Sequence, residues 1–425
     1  MSYTDAVRIE TICTGDELLT GLTADTNSLF FQRQLLEKTG LQVRRSAIVG
    51  DVREDIIDAL NVAAGRADLV LVSGGLGPTA DDITVDCAAE AAGVTVIEDP
   101  LVLEHLKARY EKRNIPLTEN NRRQARRPID AEAVLNAEGS APLIIHRRKS
   151  CLFFFVPGVP REYRHLVEAQ VVPRIRKLQQ QQGVTEVRVL RLLKTVGLPE
   201  SMLDNAVRPL LAKHPQVIFG FRTHAPENHL KLMAVAADDI KARAMLAAAE
   251  HDAREVLGRV VFGADEESMP HVVLQSLQAR KATVSTAESC TGGMVAAQLT
   301  SVAGSSASML GGAVAYANEL KHSMAQVSLE TLQAHGAVSA EVASELAQGI
   351  RRATGSAWSV STTGIAGPGG GSEAKPVGTV FMAVSSSHGT VVEKHHFVGD
   401  RERIRLFATA AALDLLRRTL EDSPS

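Results

Sequence analysis

Strands and amphipathic helices alternate along this sequence, which predicts an α/β protein: two α/β domains with largely parallel sheets, joined by a small α+β module. Three observations carry the prediction. Runs such as DLVLVSGG are apolar throughout, as strands covered on both faces of a parallel sheet are. Between such runs lie segments whose apolar residues recur with helical spacing. The 425 residues also exceed one ordinary domain and point to roughly two to four.

The first domain is assigned to residues 1–178. RIETIC reads as a strand, TNSLFFQRQLLEKTG as a helix closed by Gly40, and QVRRSAIVG as a second strand. REDIIDALNVAAG is a second helix and DLVLVSGG the buried strand, followed by a helix carrying Val85, Ala88 and Ala89. LIIHRRKSCLFFFVPG reads as a hairpin with Arg147, Arg148 and Lys149 near its turn; a helix from about Pro160 runs into QQQQG, the first boundary. A second module, 184–262, has the order β-α-β-β-α, with a hairpin around THAPEN. The third domain, 265–425, opens with the helix MPHVVLQSLQARK and the strand ATVSTAES. It continues through GGAVAYA, NELKHSMAQV and a helix capped by Ser339, then AWSVSTTG, two further strands and a final helix from Asp400 to about Leu420. No internal repeat is evident.

Composition narrows the function. The formal net charge of −3 gives no bulk attraction to nucleic acid or an anionic membrane, so neither is expected as a partner. No signal peptide is visible at the N-terminus and no apolar run is long enough to span a bilayer. Cys13, Cys87, Cys151 and Cys290 are scattered without a CxxC pair, as reduced thiols in a cytoplasm would be. The expectation is a cytoplasmic protein whose partners are small molecules.

In the third domain STAESCTGG sets Ser289 at the end of a strand, with Gly292 and Gly293 turning the chain into a helix. Unpaired amides at a helix N-terminus can hold a phosphate or an oxyanion. A serine there needs a base. His322, His335, His395 and His396 sit at no obvious strand end, whereas YANELK places Tyr316 at a strand terminus and Lys321 in the first turn of the next helix. A buried lysine can serve as that base. Cys290 reads as a buried structural thiol. GIAGPGGG, residues 364–371, offers backbone amides to an anion but lacks the GK[ST] ending of a nucleoside-triphosphate loop. Arg401 in GDRERIR opens the last helix and is placed to clamp a phosphate. The competing structural reading is a tight βα turn whose hydroxyls cap the helix.

TAESCTGG, AYANELK, HGAVS, GIAGPGGGSEAKPVGTV and GDR, in that order, resemble the C-terminal domain of the CinA family, the nicotinamide mononucleotide deamidases. The resemblance implies hydrolysis of the carboxamide of nicotinamide mononucleotide to nicotinate mononucleotide and ammonia, with no cofactor. It implies Ser289 as nucleophile, Lys321 as general base and Tyr316 and Arg401 in support. Thr291, Gly292, Gly293, Asn318, Gly367, Gly369 and Gly370 become the substrate-binding positions.

In the first domain VSGGLGPTADDIT places Gly74, Gly75, Gly77 and Thr79 after a buried strand, with Asp81 and Asp82 at the start of a helix. TGDELL and DTN bring Asp16, Glu17, Asp25 and Asn27 to another strand end. Carboxylates collected at strand C-termini suit a ligand cleft, and a pair beside a glycine loop suits a divalent cation. With ENNRRQARRP and FFFVPGVPREY, these motifs resemble the N-terminal domain of the same family, which is related to molybdopterin-binding proteins. That resemblance implies a ligand site of Gly74, Gly75, Gly77, Thr79, Asp25 and Asn27, and metal ligation by Asp16, Asp81 and Asp82. The activity implied is hydrolysis of ADP-ribose with a divalent metal ion and potassium. GSAPL stands where the family has GTAPG, and Leu143 is expected to obstruct a phosphate approaching that backbone.

The middle module resembles the family's KH-like connector but has no GXXG clamp, so it is read as structural. A homodimer is expected. The alternatives are a non-catalytic nucleotide- or pterin-binding partner protein linked to competence or DNA damage, and a molybdopterin-handling protein.

Overall fold

The computed structural model describes residues 7–181 and 187–424. Its Cα packing divides the chain into two compact units, residues 1–189 with 235–243, and residues 190–234 with 244–425. Residues 1–6, 182–186 and 425, among them the end of the QQQQG boundary, lie outside the described residues.

In the first unit the strands are β1 (Ile9–Thr14), β2 (Val43–Val49), β3 (Leu69–Ser73), β4 (Val96–Glu98), β5 (Arg126–Pro128), β6 (Glu132–Val134), β7 (Leu143–Arg148) and β8 (Cys151–Val156). Six of them form one sheet in the order β2-β1-β3-β8-β7-β6, and β4 pairs with β5 apart from it. The pairs β1/β2, β1/β3 and β3/β8 are parallel, while β7 returns antiparallel to β8 as the expected hairpin. Helices cover both faces. Phe31, Leu35, Phe154 and Tyr163 pack on one side, and Ile56, Leu60, Phe153 and Phe155 on the other. Alternation along CLFFFV therefore feeds both cores, which is why that strand has no polar position. The chain leaves β1 for one neighbour and later returns to its other side at β3, so the loops after these two strands splay apart into a crevice.

The middle sheet has the order β10-β11-β9-β12, from β9 (Val187–Val196), β10 (Val217–His224), β11 (Glu227–Ala236) and β12 (Val261–Ala264). The strand β12 is additional to the expected β-α-β-β-α order; four residues carry too little periodicity to be read, and pairing antiparallel with β9 fixes them.

The third sheet runs β14-β13-β15-β16-β17, comprising β13 (Val284–Glu288), β14 (Met309–Val314), β15 (Trp358–Gly364), β16 (Thr379–Ser386) and β17 (Gly389–His396). Its first three strands are parallel and its last two antiparallel. The helices Met269–Ala279 and Arg401–Asp422 pack on one face through Val273, Leu277, Leu413 and Leu416. Ala340–Thr354 covers the other through Val342, Leu346 and Ile350, and its N-cap is Ser339, as the sequence predicts. A short helix, Leu329–His335, was not legible in the sequence. All four cysteines are free and buried, and no helix among the described residues is long and apolar enough to cross a membrane.

Candidate functional site

The strand β13 ends at Glu288, and the Ser289 amide donates to the Thr362 carbonyl of β15 at 2.9 Å, which pins the residue between two parallel strand ends. Gly292 and Gly293 then adopt φ of +63° and +92°, a left-handed turn that a side-chain-bearing residue resists, and the helix Met294–Thr300 follows.

The turn holds a residue that sequence reasoning missed. Glu288 is 1% exposed, and its carboxylate accepts from the Thr291 hydroxyl (2.7 Å) and from the amides of Gly293 (3.0 Å), Val295 (3.0 Å) and Ala296 (2.8 Å). The expectation that this helix N-terminus offers free amides to a phosphate or oxyanion is thus corrected: an internal carboxylate occupies it. Thr291 is committed to the same network, bonding Glu288 and Thr362. The signal available was the acidic residue at the end of a buried strand, six positions before the helix.

Ser289 is buried, and its hydroxyl has no hydrogen-bond partner among the described residues. Lys321 is 2% exposed and lies at the fourth position of the helix Asn318–Ala325. Its Nζ donates to the Tyr316 carbonyl at 2.9 Å, it has no carboxylate partner among the described residues, and burial pushes its pKa below the usual lysine value. Cys290 is buried in the apolar core, and burial pushes its thiol up to about 11, which keeps it protonated and unreactive at neutral pH.

Tyr316 is exposed, and its hydroxyl accepts from Arg401 Nη2 at 2.8 Å. Arg401 Nη1 reaches the Gly367 carbonyl at 2.8 Å. Lys321, Tyr316, Arg401 and Gly367 are therefore one connected set. Arg405, one turn after Arg401, was also missed; it donates to the Thr291 carbonyl at 2.9 Å and ties the last helix to the serine turn. The i, i+4 arginines of RERIR were its signal. Asn318, Gly369 and Gly370 are exposed and make no hydrogen bond to this set.

In the first unit the loops after β1, β2, β3 and β8 enclose a cavity of about 480 Å³, lined by Gly74, Gly75 and Gly77 and by the carboxylates of Glu17, Asp51, Asp81, Asp82 and Glu162. Gly75 has φ +65°, and a Cβ there would lie 2.0 Å from Thr84 Oγ1, so the loop closes only around glycine. The buried Gln124, also in the wall, leaves Oε1 without a partner. Asp51 exchanges hydrogen bonds with Asp16, whose Oδ1 accepts the Asp51 amide at 3.1 Å. Burial, and then the neighbouring Asp16, Glu17 and Asp81 carboxylates, push the Asp51 pKa up. Burial likewise raises that of Glu162, which accepts from Asn136 Nδ2 at 2.8 Å.

Several expectations change here. Asp81 and Asp82 lie in the turn before the helix Thr84–Ala92, and Asp82 accepts from the Thr79 amide at 2.8 Å. Thr79 thus shapes the loop. Asp25 caps the helix Thr26–Thr39 by accepting from the Ser28 amide, and Asn27 bridges Ser73 and the Gly158 carbonyl, so each already has a partner within the fold and neither lines the cavity. Among the described residues no three His, Cys, Asp or Glu are grouped to hold a metal ion, and Asp16, Asp81 and Asp82 form no preassembled cage. Leu143 does not obstruct the cavity: it is fully buried at the start of β7 in the core beside Phe154 and Tyr163. Ser140 and Ala141 form the wall instead.

Family models described as "CinA C-terminal domain", "Damage-inducible protein CinA KH domain" and "Probable molybdopterin binding domain" match residues 266–420, 190–263 and 10–177. A CinA-like protein of Myxococcus xanthus is 50% identical over 420 residues, covering 99% of this chain and 100% of that protein. A CinA-like protein of Anaeromyxobacter dehalogenans is 44% identical, covering 97% of this chain and 100% of its own. The crystal structure of competence/damage inducible protein CihA from Agrobacterium tumefaciens is 39% identical, covers 36% of this chain and 94% of that one, and has a TM-score of 0.35. The chain, matched by all three domain models and by full-length relatives, belongs to the CinA family.

Proposed function

We propose that the third domain hydrolyses the carboxamide of nicotinamide mononucleotide, giving nicotinate mononucleotide and ammonia. One observation carries the reading: Lys321 is buried without a carboxylate partner among the described residues and within electrostatic reach of Cys290, the neighbour of Ser289, whose hydroxyl is unengaged at a strand end. Neutral Lys321 accepts the Ser289 proton as Oγ attacks the amide carbon. The Lys321 ammonium returns that proton to the departing nitrogen, releasing ammonia and leaving an acyl-serine. Water, deprotonated by Lys321, then frees the carboxylate and restores the serine. Arg401, held by Tyr316 and Gly367, keeps further N–H groups for the phosphate.

The test is ammonia release from nicotinamide mononucleotide, with and without chelator, for wild type, Ser289→Ala and Lys321→Ala. Chelator-resistant release that falls by about a thousandfold or more in each variant is expected. Release that survives in Ser289→Ala overturns the assignment. No release from folded wild type moves the non-catalytic nucleotide-binding reading to the front.

For the first domain we propose a binding site for a phosphate-bearing nucleotide, ADP-ribose being the candidate. The glycine-walled cavity and the unpartnered Gln124 oxygen support it. Its carboxylates are oxygen donors of the kind divalent cations take, but they are not gathered into one coordination shell, so no step is routed through a metal. Ser289→Ala is expected to leave any ADP-ribose cleavage intact.

A further inference from the structure

A second cavity, about 420 Å³, lies within the second unit, between the β10–β11 hairpin and the face of β17 and the last helix. It includes none of the residues placed in the proposed catalytic set, and its volume falls in the range of small-molecule sites. Three features of its wall point the same way. First, it presents aromatic surface: the His395 and Phe397 rings stack in parallel at 5.5 Å, and Phe407 lies 6.3 Å from Phe397. Secondly, the Arg403 guanidinium sits 4.6 Å from the Phe407 ring centre and has no carboxylate partner among the described residues. Thirdly, Asn228 donates through Nδ2 to the Leu198 carbonyl at 2.8 Å, while its buried Oδ1 has no donor.

We infer that this cavity is a binding site for a mononucleotide whose base carries an amino group. The flat base covers the His395 and Phe397 wall. Its amino group donates to Asn228 Oδ1, a bond that removes the cost of a buried unpaired acceptor. The phosphate meets the Arg403 cation, which has no ion-pair partner among the described residues, whereas the wall carboxylates Glu227 and Asp414 are bonded to His229 and to Arg417 and Arg418. The helix Arg401–Asp422 gives the site a place in the molecule. Arg401 bonds Gly367 and Tyr316 and Arg405 bonds the serine turn at Thr291, while Arg403, Phe407, Asp414 and Arg418 line the cavity on the nearly opposite face of the same helix.

The experiment is calorimetric titration of the full chain with AMP, with adenosine and with inorganic phosphate. Two variants accompany it: Arg403→Gln, which removes the cation from an exposed position, and Thr223→Trp, which fills the mouth from the hairpin. The expected result is AMP binding that weakens by about five- to tenfold in Arg403→Gln and is lost in Thr223→Trp, with adenosine binding weaker than AMP and unchanged by Arg403→Gln. Thermal unfolding of each variant at the wild-type temperature establishes that the loss is local. AMP affinity unchanged in both variants places the nucleotide elsewhere and overturns the proposal, as does the absence of AMP binding to folded wild type at millimolar concentration. Phosphate binding as tightly as AMP overturns the base-recognition half. None of these readouts depends on ammonia release.

Discussion

The crevice of the first unit and the serine turn of the second are built from the same parts, a glycine turn and carboxylates at strand ends, and use them in opposite ways. In the first, Glu17, Asp51, Asp81 and Asp82 face an open cavity, and crowding with burial raises the Asp51 pKa. In the second, the carboxylate of Glu288 is sealed behind four donors, and buried Lys321 has no ion-pair partner among the described residues. An acidic residue beside a glycine turn therefore does different work according to the donors around it. Saturated, it is scaffold; unsaturated, it is available to a ligand.

Breaking the saturated side gives the largest effect. Glu288→Leu strands four donors in a buried turn and is expected to cost about 4 kcal/mol, read from urea unfolding. Glu288→Gln keeps one acceptor oxygen and costs about half that, because its amide group opposes an amide donor. If Glu288→Leu is neutral, the carboxylate does not hold the turn. Next comes Leu143→Gly, expected to destabilise by about 3 kcal/mol without improving ligand access to the first cavity. A variant that keeps its stability and gains nucleotide affinity would restore Leu143 as an obstruction.

These two residues also mark where the sequence stopped being legible. Sheet-forming runs, the helix caps at Gly40 and Ser339 and the linear order of the motifs were readable, because period, caps and turns are local properties. Leu143 was misread because its role depends on which face of β7 meets the core, and that is fixed by pairing with β8. Glu288 was missed because its donors lie across a turn whose shape no spacing encodes. Asp25 and Asn27 looked like ligand groups but are used by Ser28, Ser73 and Gly158, the last of them 131 residues away from Asn27. Long-range satisfaction of polar groups is what a single sequence hides.

The unsaturated cation gives a gain. Lys321→Met is expected to stabilise the chain at neutral pH by about 1–2 kcal/mol while abolishing ammonia release, since a buried charge gives way to a side chain of similar length. Burial lowers the folded-state pKa below the unfolded value, so between the two the unfolded chain binds the extra proton. Wild-type stability therefore rises with pH across that interval, and the gap to Lys321→Met closes towards the ordinary lysine value of 10.5. The same proton sets an ascending limb of kcat/KM with pH, with its midpoint below 10.5. A limb centred at or above that value means that Lys321 is not the base.

The smallest effect belongs to the open crevice. Asp51→Asn keeps an oxygen to accept the Asp16 amide, now 3.2 Å from Asp51 Oδ2, and removes one of four crowded charges. The folded-state pKa of Asp51 is raised, so the folded chain holds its proton longer than the unfolded chain, and wild type loses stability as pH rises through that window. At neutral pH Asp51→Asn is accordingly more stable by a few tenths of a kcal/mol, a small figure because the site is partly solvated. The difference vanishes below the ordinary value of 3.8, where both states are protonated. Millimolar magnesium distinguishes repulsion from a simple packing change: a cation drawn to the crevice raises the unfolding temperature of wild type more than that of Asp51→Asn. Equal shifts, or a less stable variant at neutral pH, would mean that the carboxylates of the crevice are as well compensated as Glu288, and the contrast between the two sites would fail.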